Sequence, residues 1–134
     1  MAQRRERWRR DILFWLAIAT GAVLSLIGVR FLLQPESAAT FFGIDRRDPG
    51  FAPHAAIALR DLWLGLLVIV FAVLRDWRAV ALWLVLATLV CFGDAGIAAT
   101  SSGRWVSVAF HSGSGLFCAG LAAFASRQAR RSAG

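Results

Sequence analysis

Polar residues fall in a few short clusters along this chain, and between them the sequence is almost continuously apolar. Four apolar runs reach the roughly 20 residues that a membrane-spanning helix needs. They cover about Ile12 to Leu33, Ala55 to Leu74, Ala79 to Thr100 and Val106 to Ala125. "RDWR" at 75–78 separates the second run from the third, and "SSGR" at 101–104 separates the third from the fourth. Connections this short join antiparallel neighbours. Lipid offers no partner for backbone N–H and C=O groups, so each run is predicted to be helical. The pattern predicts an all-α, integral membrane, up-down four-helix bundle over residues 12–125, with a basic N-terminus at 1–11 and a basic tail at 126–134.

One connection is long, "QPESAATFFGIDRRDPGFAPH" at 34–54. Within it, "PESAATFFG" has the signals of a short helix. Pro35 suits a first helical position, Glu36 suits the positive end of the helix dipole, and Gly43 suits the stop. Phe41, Phe42, Ile44 and Phe51 are too apolar for a freely solvated loop. The segment is therefore predicted to form an interfacial helix between spans one and two, or to fold over the outer mouth of the bundle. "DRRDPG" at 45–50 is predicted as a surface turn.

Composition agrees with this reading. The chain has 134 residues, is 58% hydrophobic and carries only 17% charged residues. A soluble domain of this size has no core large enough to hide so much apolar surface. The net charge of +7 comes from fifteen basic residues, all of them arginine. Such a charge suits nucleic acid, but its placement does not, because the arginines flank apolar spans as anionic headgroups and membrane topology select. No nucleic-acid partner is expected; the partner is the lipid bilayer.

The same arginines set the direction. With the N-terminus inside, Arg4, Arg5, Arg7, Arg9, Arg10, Arg75, Arg78, Arg127, Arg130 and Arg131 lie on the cytoplasmic side, against Arg46, Arg47 and Arg104 outside. Both termini are predicted to be cytoplasmic, in a bacterial inner membrane. The first run continues to Leu33, past the length of a signal-peptide core, and is read as a retained anchor. Trp8, Trp77 and Trp105 fall at headgroup levels. Cys91 and Cys118 lie inside apolar runs and read as packing residues, with neither a disulfide framework nor a zinc spacing.

Five ionisable residues remain within or at the edges of the spans: Arg30, Arg60, Asp61, Asp94 and His111. Each costs a few kcal/mol or more at membrane depth. At a rise of about 1.5 Å per residue, Arg60 and Asp61 lie about 8 Å inside the outer start of span two. By the same rise, Asp94 lies about 9 Å from the outer end of span three, and His111 about 8 Å below the outer start of span four. Arg30 is near the outer end of span one. Although the helices alternate in direction, these residues share a level. A shared level predicts one polar cluster in the outer half. Two arginines balance two aspartates there, and opposite charges in low dielectric have to pair. Adjacent helical residues point about 100° apart. Asp61 is therefore expected to face inward with Gly65, and Arg60 toward a neighbouring helix or the outer surface. Arg30 is expected to pair with one aspartate and His111 with the other. "GDAG" at 93–96 and "HSGSG" at 111–115 supply small residues for close helix approach or for ligand space.

The arrangement resembles a known group. "VRFLLQPESAATFFGI", "ALRDLWLGLL", "CFGDAGIA" and "VAFHSGSG", together spanning roughly residues 20–125, are similar to the small four-span membrane proteins of domain-of-unknown-function family 4267. The resemblance implies the topology and this choice of polar residues, and it supplies no reaction.

Three functions remain open. The first is binding of a small amphiphilic molecule or a partner subunit at Arg30, Arg60, Asp61, Asp94 and His111. The second is an isomerase- or cyclase-type membrane enzyme in which Asp and His act as base and acid and the arginines stabilise developing negative charge. The third is a subunit of a proton-coupled transporter, which needs an acid reachable from both sides. Neither a cofactor nor a metal is implied, since nearby arginines oppose a cation, and self-association into a homo-oligomer is left open.

Overall fold

The computed structural model describes residues 2–44 and 51–132. Five helices follow one another: α1 (Ala2–Leu33), α2 (Pro35–Phe42), α3 (Phe51–Val73), α4 (Trp77–Ser101) and α5 (Trp105–Ser132). Four are long and apolar enough to cross a membrane, over Arg7–Leu33, Pro53–Val73, Trp77–Ser101 and Trp105–Arg131. The chain is a multi-pass, all-helical membrane bundle with one short extra helix after the first span. The basic ends continue the helices, since α1 starts at Ala2 and α5 runs to Ser132. The turn expected at 45–50 lies outside the described residues.

Local chemistry sets the breaks. Pro35 has no N–H to return to the preceding turn, so α1 stops at Leu33 and α2 begins with proline in its first turn. Gly43 ends α2 in the left-handed region at φ 100°, with its N–H on the Ala39 carbonyl at 3.0 Å. Between α3 and α4, Arg75 takes φ 57° and the Asp76 N–H reaches the Phe71 carbonyl at 3.0 Å. Asp76 then caps α4, accepting the Arg78 and Ala79 N–H groups at 3.1 and 3.0 Å. The Arg75 guanidinium lies 4.4 Å from the Phe14 ring centroid, which ties this turn to α1.

The four spans form two tight antiparallel pairs, α1 with α3 and α4 with α5. Glycine makes the first pair close. A Cβ on Gly21 would lie 2.6 Å from the Gly65 carbonyl oxygen, and one on Gly28 would lie 2.7 Å from that of Ala58. Gly21 and Gly28 are seven residues apart, as are Ala58 and Gly65, so each set lies on one helix face. The two pairs converge at the end that carries the termini, where Leu13, Val68, Val80, Leu84, Cys118 and Leu121 share a buried core. Trp77 joins that core at 5% exposure rather than an interfacial belt, whereas Trp8 and Trp105 are exposed. Toward the opposite end the pairs diverge, and α2 folds over the gap with Ala38, Ala39 and Phe42 buried against Phe31 and Ala58.

Candidate functional site

The gap between the two pairs is a cavity of about 720 Å³ with walls from every helix. Most of its lining is apolar. Phe31, Phe41 and Phe42 line its α2 end, and Trp63, Trp83 and Phe117 line its walls. Its polar residues include Arg60, Asp61, Asp94 and His111. Trp83 also brings a buried indole N–H that has no hydrogen-bond partner among the described residues.

Arg60 holds this polar group together. Its Nε donates to Asp61 Oδ1 at 2.9 Å. Nη1 and Nη2 donate to Asp94 Oδ1 and Oδ2 at 3.3 and 3.2 Å, a forked contact that links α3 to α4. Asp61 is 3% exposed and Asp94 7%, so both carboxylates are buried. The Arg60 side chain keeps 34% of its surface open. Asp61 and Gly65 do face inward together, as their spacing requires. The Arg60–Asp61 geometry differs from expectation, because the long arginine folds back across the 100° between neighbours and serves its own aspartate as well as Asp94.

Arg30 does not join the group. It is exposed, donates to Ser37 Oγ at 2.8 Å and lies 5.6 Å from the Phe41 ring centroid. Leu26 and Leu33, four residues before it and three after, are exposed on the same face of α1. Arg30 shares the depth of the cluster but points away from it.

His111 is buried and lines the cavity, yet its Nε2 donates to the Phe42 carbonyl at 3.0 Å rather than to a carboxylate. A carbonyl only accepts, so Nε2 carries the hydrogen. Its ring lies 4.5 Å from the Phe42 ring, centroid to centroid. Two further side chains, Ser107 on α5 and Arg104 just before its start, continue the pattern. Ser107 donates to the Phe41 carbonyl at 2.8 Å, and Arg104 to the Thr40 carbonyl at 2.8 Å. Three successive carbonyls in the last turn of α2, a place where helical partners run out, are thus answered by α5 and the residue before it. This clasp holds α2 over the cavity. Ser107 and Arg104 are not marked by any motif; their signal is the spacing of three and four residues from Arg104 to Ser107 to His111. His54, just before the predicted second span, is also buried and stacks on Phe31 with centroids 6.2 Å apart.

The glycines of "GDAG" do not make close contacts. A Cβ on Gly93 or Gly96 would meet nothing within 4 Å, and the same holds for Gly113, whereas Gly115 is packed under Phe92. Cys91 and Cys118 are free thiols in the cavity wall, and Cys118 also packs in the core. Among the described residues, no group of three His, Cys, Asp or Glu side chains is placed to hold a metal ion.

A family model described as "Domain of unknown function (DUF4267)" matches residues 21–125, a span that holds the whole polar group and the clasp over it. No curated protein and no solved structure matches the chain. With most of its length covered, the chain belongs to domain-of-unknown-function family 4267.

Proposed function

We propose that this protein binds one amphiphilic molecule drawn from the bilayer. Its apolar part lies between the two helix pairs, and its polar head lies at Arg60, Asp61, Asp94 and His111. The observation that carries this reading is the cavity itself: about 720 Å³, apolar over most of its wall, with a few polar groups in its α2-side half. Sites for small molecules have this composition and size. Lining residues that are also half exposed or more, among them Val23, Trp63, Leu86 and Phe117, favour entry from the membrane. The arginine bias supports a site facing the outer leaflet, with both termini in the cytoplasm of a bacterial cell.

A catalytic reading of the isomerase or cyclase type stands second. Asp61 and His111 line one cavity, but Asp94 and His111 Nε2 are committed to other bonds. A proton-coupled transporter stands third, because the acids lie in the α2-side half and the core at the terminal end is apolar.

Mass spectrometry of the protein purified in a neutral detergent tests the first reading. Wild type is expected to retain about one amphiphile per chain, and Ala87→Trp, which fills the cavity wall, to lose it while keeping its helical circular dichroism. Equal retention by both proteins would reject the cavity as the binding place.

A further inference from the structure

Charge inside the cavity runs opposite to charge on the chain. The protein as a whole is +7, which on its face suits an anionic ligand. The cavity wall is different. Arg60 is its one arginine among the described residues, and two carboxylates face that guanidinium. Both oxygens of Asp94 are taken, whereas Asp61 is bonded through Oδ1 alone, with no bond recorded for Oδ2 among the described residues. Counted formally among the described residues, two carboxylates share one guanidinium, which leaves one acidic group in excess. Of the other described arginines, Arg30 and Arg104 are held outside on Ser37 and the Thr40 carbonyl, and neither lines the cavity.

Resting on the amphiphile reading, we infer that the head site selects a cationic amphiphile, a lipophilic amine or quaternary ammonium, over an anionic one. An unbalanced carboxylate in a low-dielectric surround is costly, and a bound cation removes that cost. An anion adds to it, because the arginine it would seek is already paired on both sides. The wall also presents Trp63, Phe42 and Phe110, whose ring faces attract ammonium groups. The apolar remainder of the cavity takes the hydrocarbon chain. Neutral amphiphiles lack the ionic part of this gain and rank between the two.

Tryptophan fluorescence reads the ranking directly, because Trp63 and Trp83 line the cavity. Three probes with the same chain, brominated near its middle, would be titrated into protein in a neutral maltoside detergent: a trimethylammonium, an alcohol and a sulfate. The ammonium probe is expected to quench at a concentration about tenfold or more below that of the sulfate, a ratio equivalent to about 1.4 kcal/mol. In Asp61→Asn the two are expected to converge. Equal quenching by all three in wild type overturns the charge selection and leaves the amphiphile reading standing. Tighter binding of the sulfate overturns it as well. Quenching by none removes the amphiphile reading and this inference with it. The wild-type ranking decides the question even if Asp61→Asn fails to fold.

Discussion

The α1–α3 contact and the seam between the two helix pairs are built from opposite materials. In the α1–α3 contact, backbone meets backbone: Gly21, Gly28 and Gly65 leave no room for a side chain, and no polar link is needed. Toward α2, the seam keeps its helices apart and crosses the gap with discrete polar bonds. These are Arg60 to Asp94, and the Arg104, Ser107 and His111 contacts to the carbonyls of α2. In a membrane, burial from water does not drive helices together, so close packing and hydrogen bonds must do so. Here the two devices are segregated. Close packing makes a rigid half, and polar bonds hold a second half at a distance, which is what preserves a cavity.

Cutting the polar bridge should have the largest effect. Arg60→Leu leaves Asp61 and Asp94 buried without their partner, and removing one side of a buried pair costs about 3–5 kcal/mol. Thermal unfolding in detergent should show a large fall in midpoint. Adding Asp94→Leu to that variant removes one of the two stranded carboxylates and should recover part of the loss. An unchanged midpoint in Arg60→Leu would mean that the bridge does not hold the seam.

The glycine contact offers the next largest effect, together with its own control. A Cβ at Gly65 meets the Gly21 carbonyl oxygen at 2.6 Å and the Ser25 nitrogen at 2.9 Å, both of them backbone atoms that cannot rotate away. Gly65→Val should cost about 1–3 kcal/mol or more by overpacking. Gly93→Val meets nothing within 4 Å and should change stability by no more than about 0.5 kcal/mol. Equal losses at the two positions would erase the distinction between the α1–α3 contact and the open faces of α4.

Much of this arrangement was legible in the residues, and what was not has a common cause. The apolar runs gave the spans, and Pro35 and Gly43 gave α2 its limits, because length and backbone chemistry are local properties. The rise per residue put Arg60, Asp61 and Asp94 at one level, and the forked contact bears that out. Depth says nothing of rotation about the helix axis. Depth alone puts Arg30 in the cluster, but its period puts it with Leu26 and Leu33 on the exposed face of α1. "GDAG" stands out because it adjoins Asp94, whereas the small residues that weld α1 to α3 carry the quieter signal of two sets seven residues apart. Matching opposite charges pairs His111 with a carboxylate, whereas its Nε2 bonds a carbonyl. The orphan carbonyls at the end of a short helix, where the clasp forms, are an equally hungry partner, and matching charges does not reveal them, because a carbonyl carries none.

That clasp gives the smallest expected effect and the finest test of the comparison. His111→Phe keeps the ring beside Phe42 and removes only the Nε2 hydrogen bond. One such bond contributes about 1 kcal/mol, and Ser107 and Arg104 still hold the neighbouring carbonyls. The unfolding midpoint should therefore move little. Amide exchange should be more sensitive, because it reads local opening rather than global unfolding. Residues 36–44 should exchange faster in His111→Phe, while the amides of α1 and α3 around Gly21 and Gly65 stay as in wild type. His111→Gln, whose amide nitrogen is still a donor, should restore part of the protection. Faster exchange confined to α2 means that the seam opens at its clasp independently of the welded pair. Faster exchange along α1 and α3 as well would mean that the two halves respond as one unit, and that the contrast between them is one of chemistry without mechanical consequence.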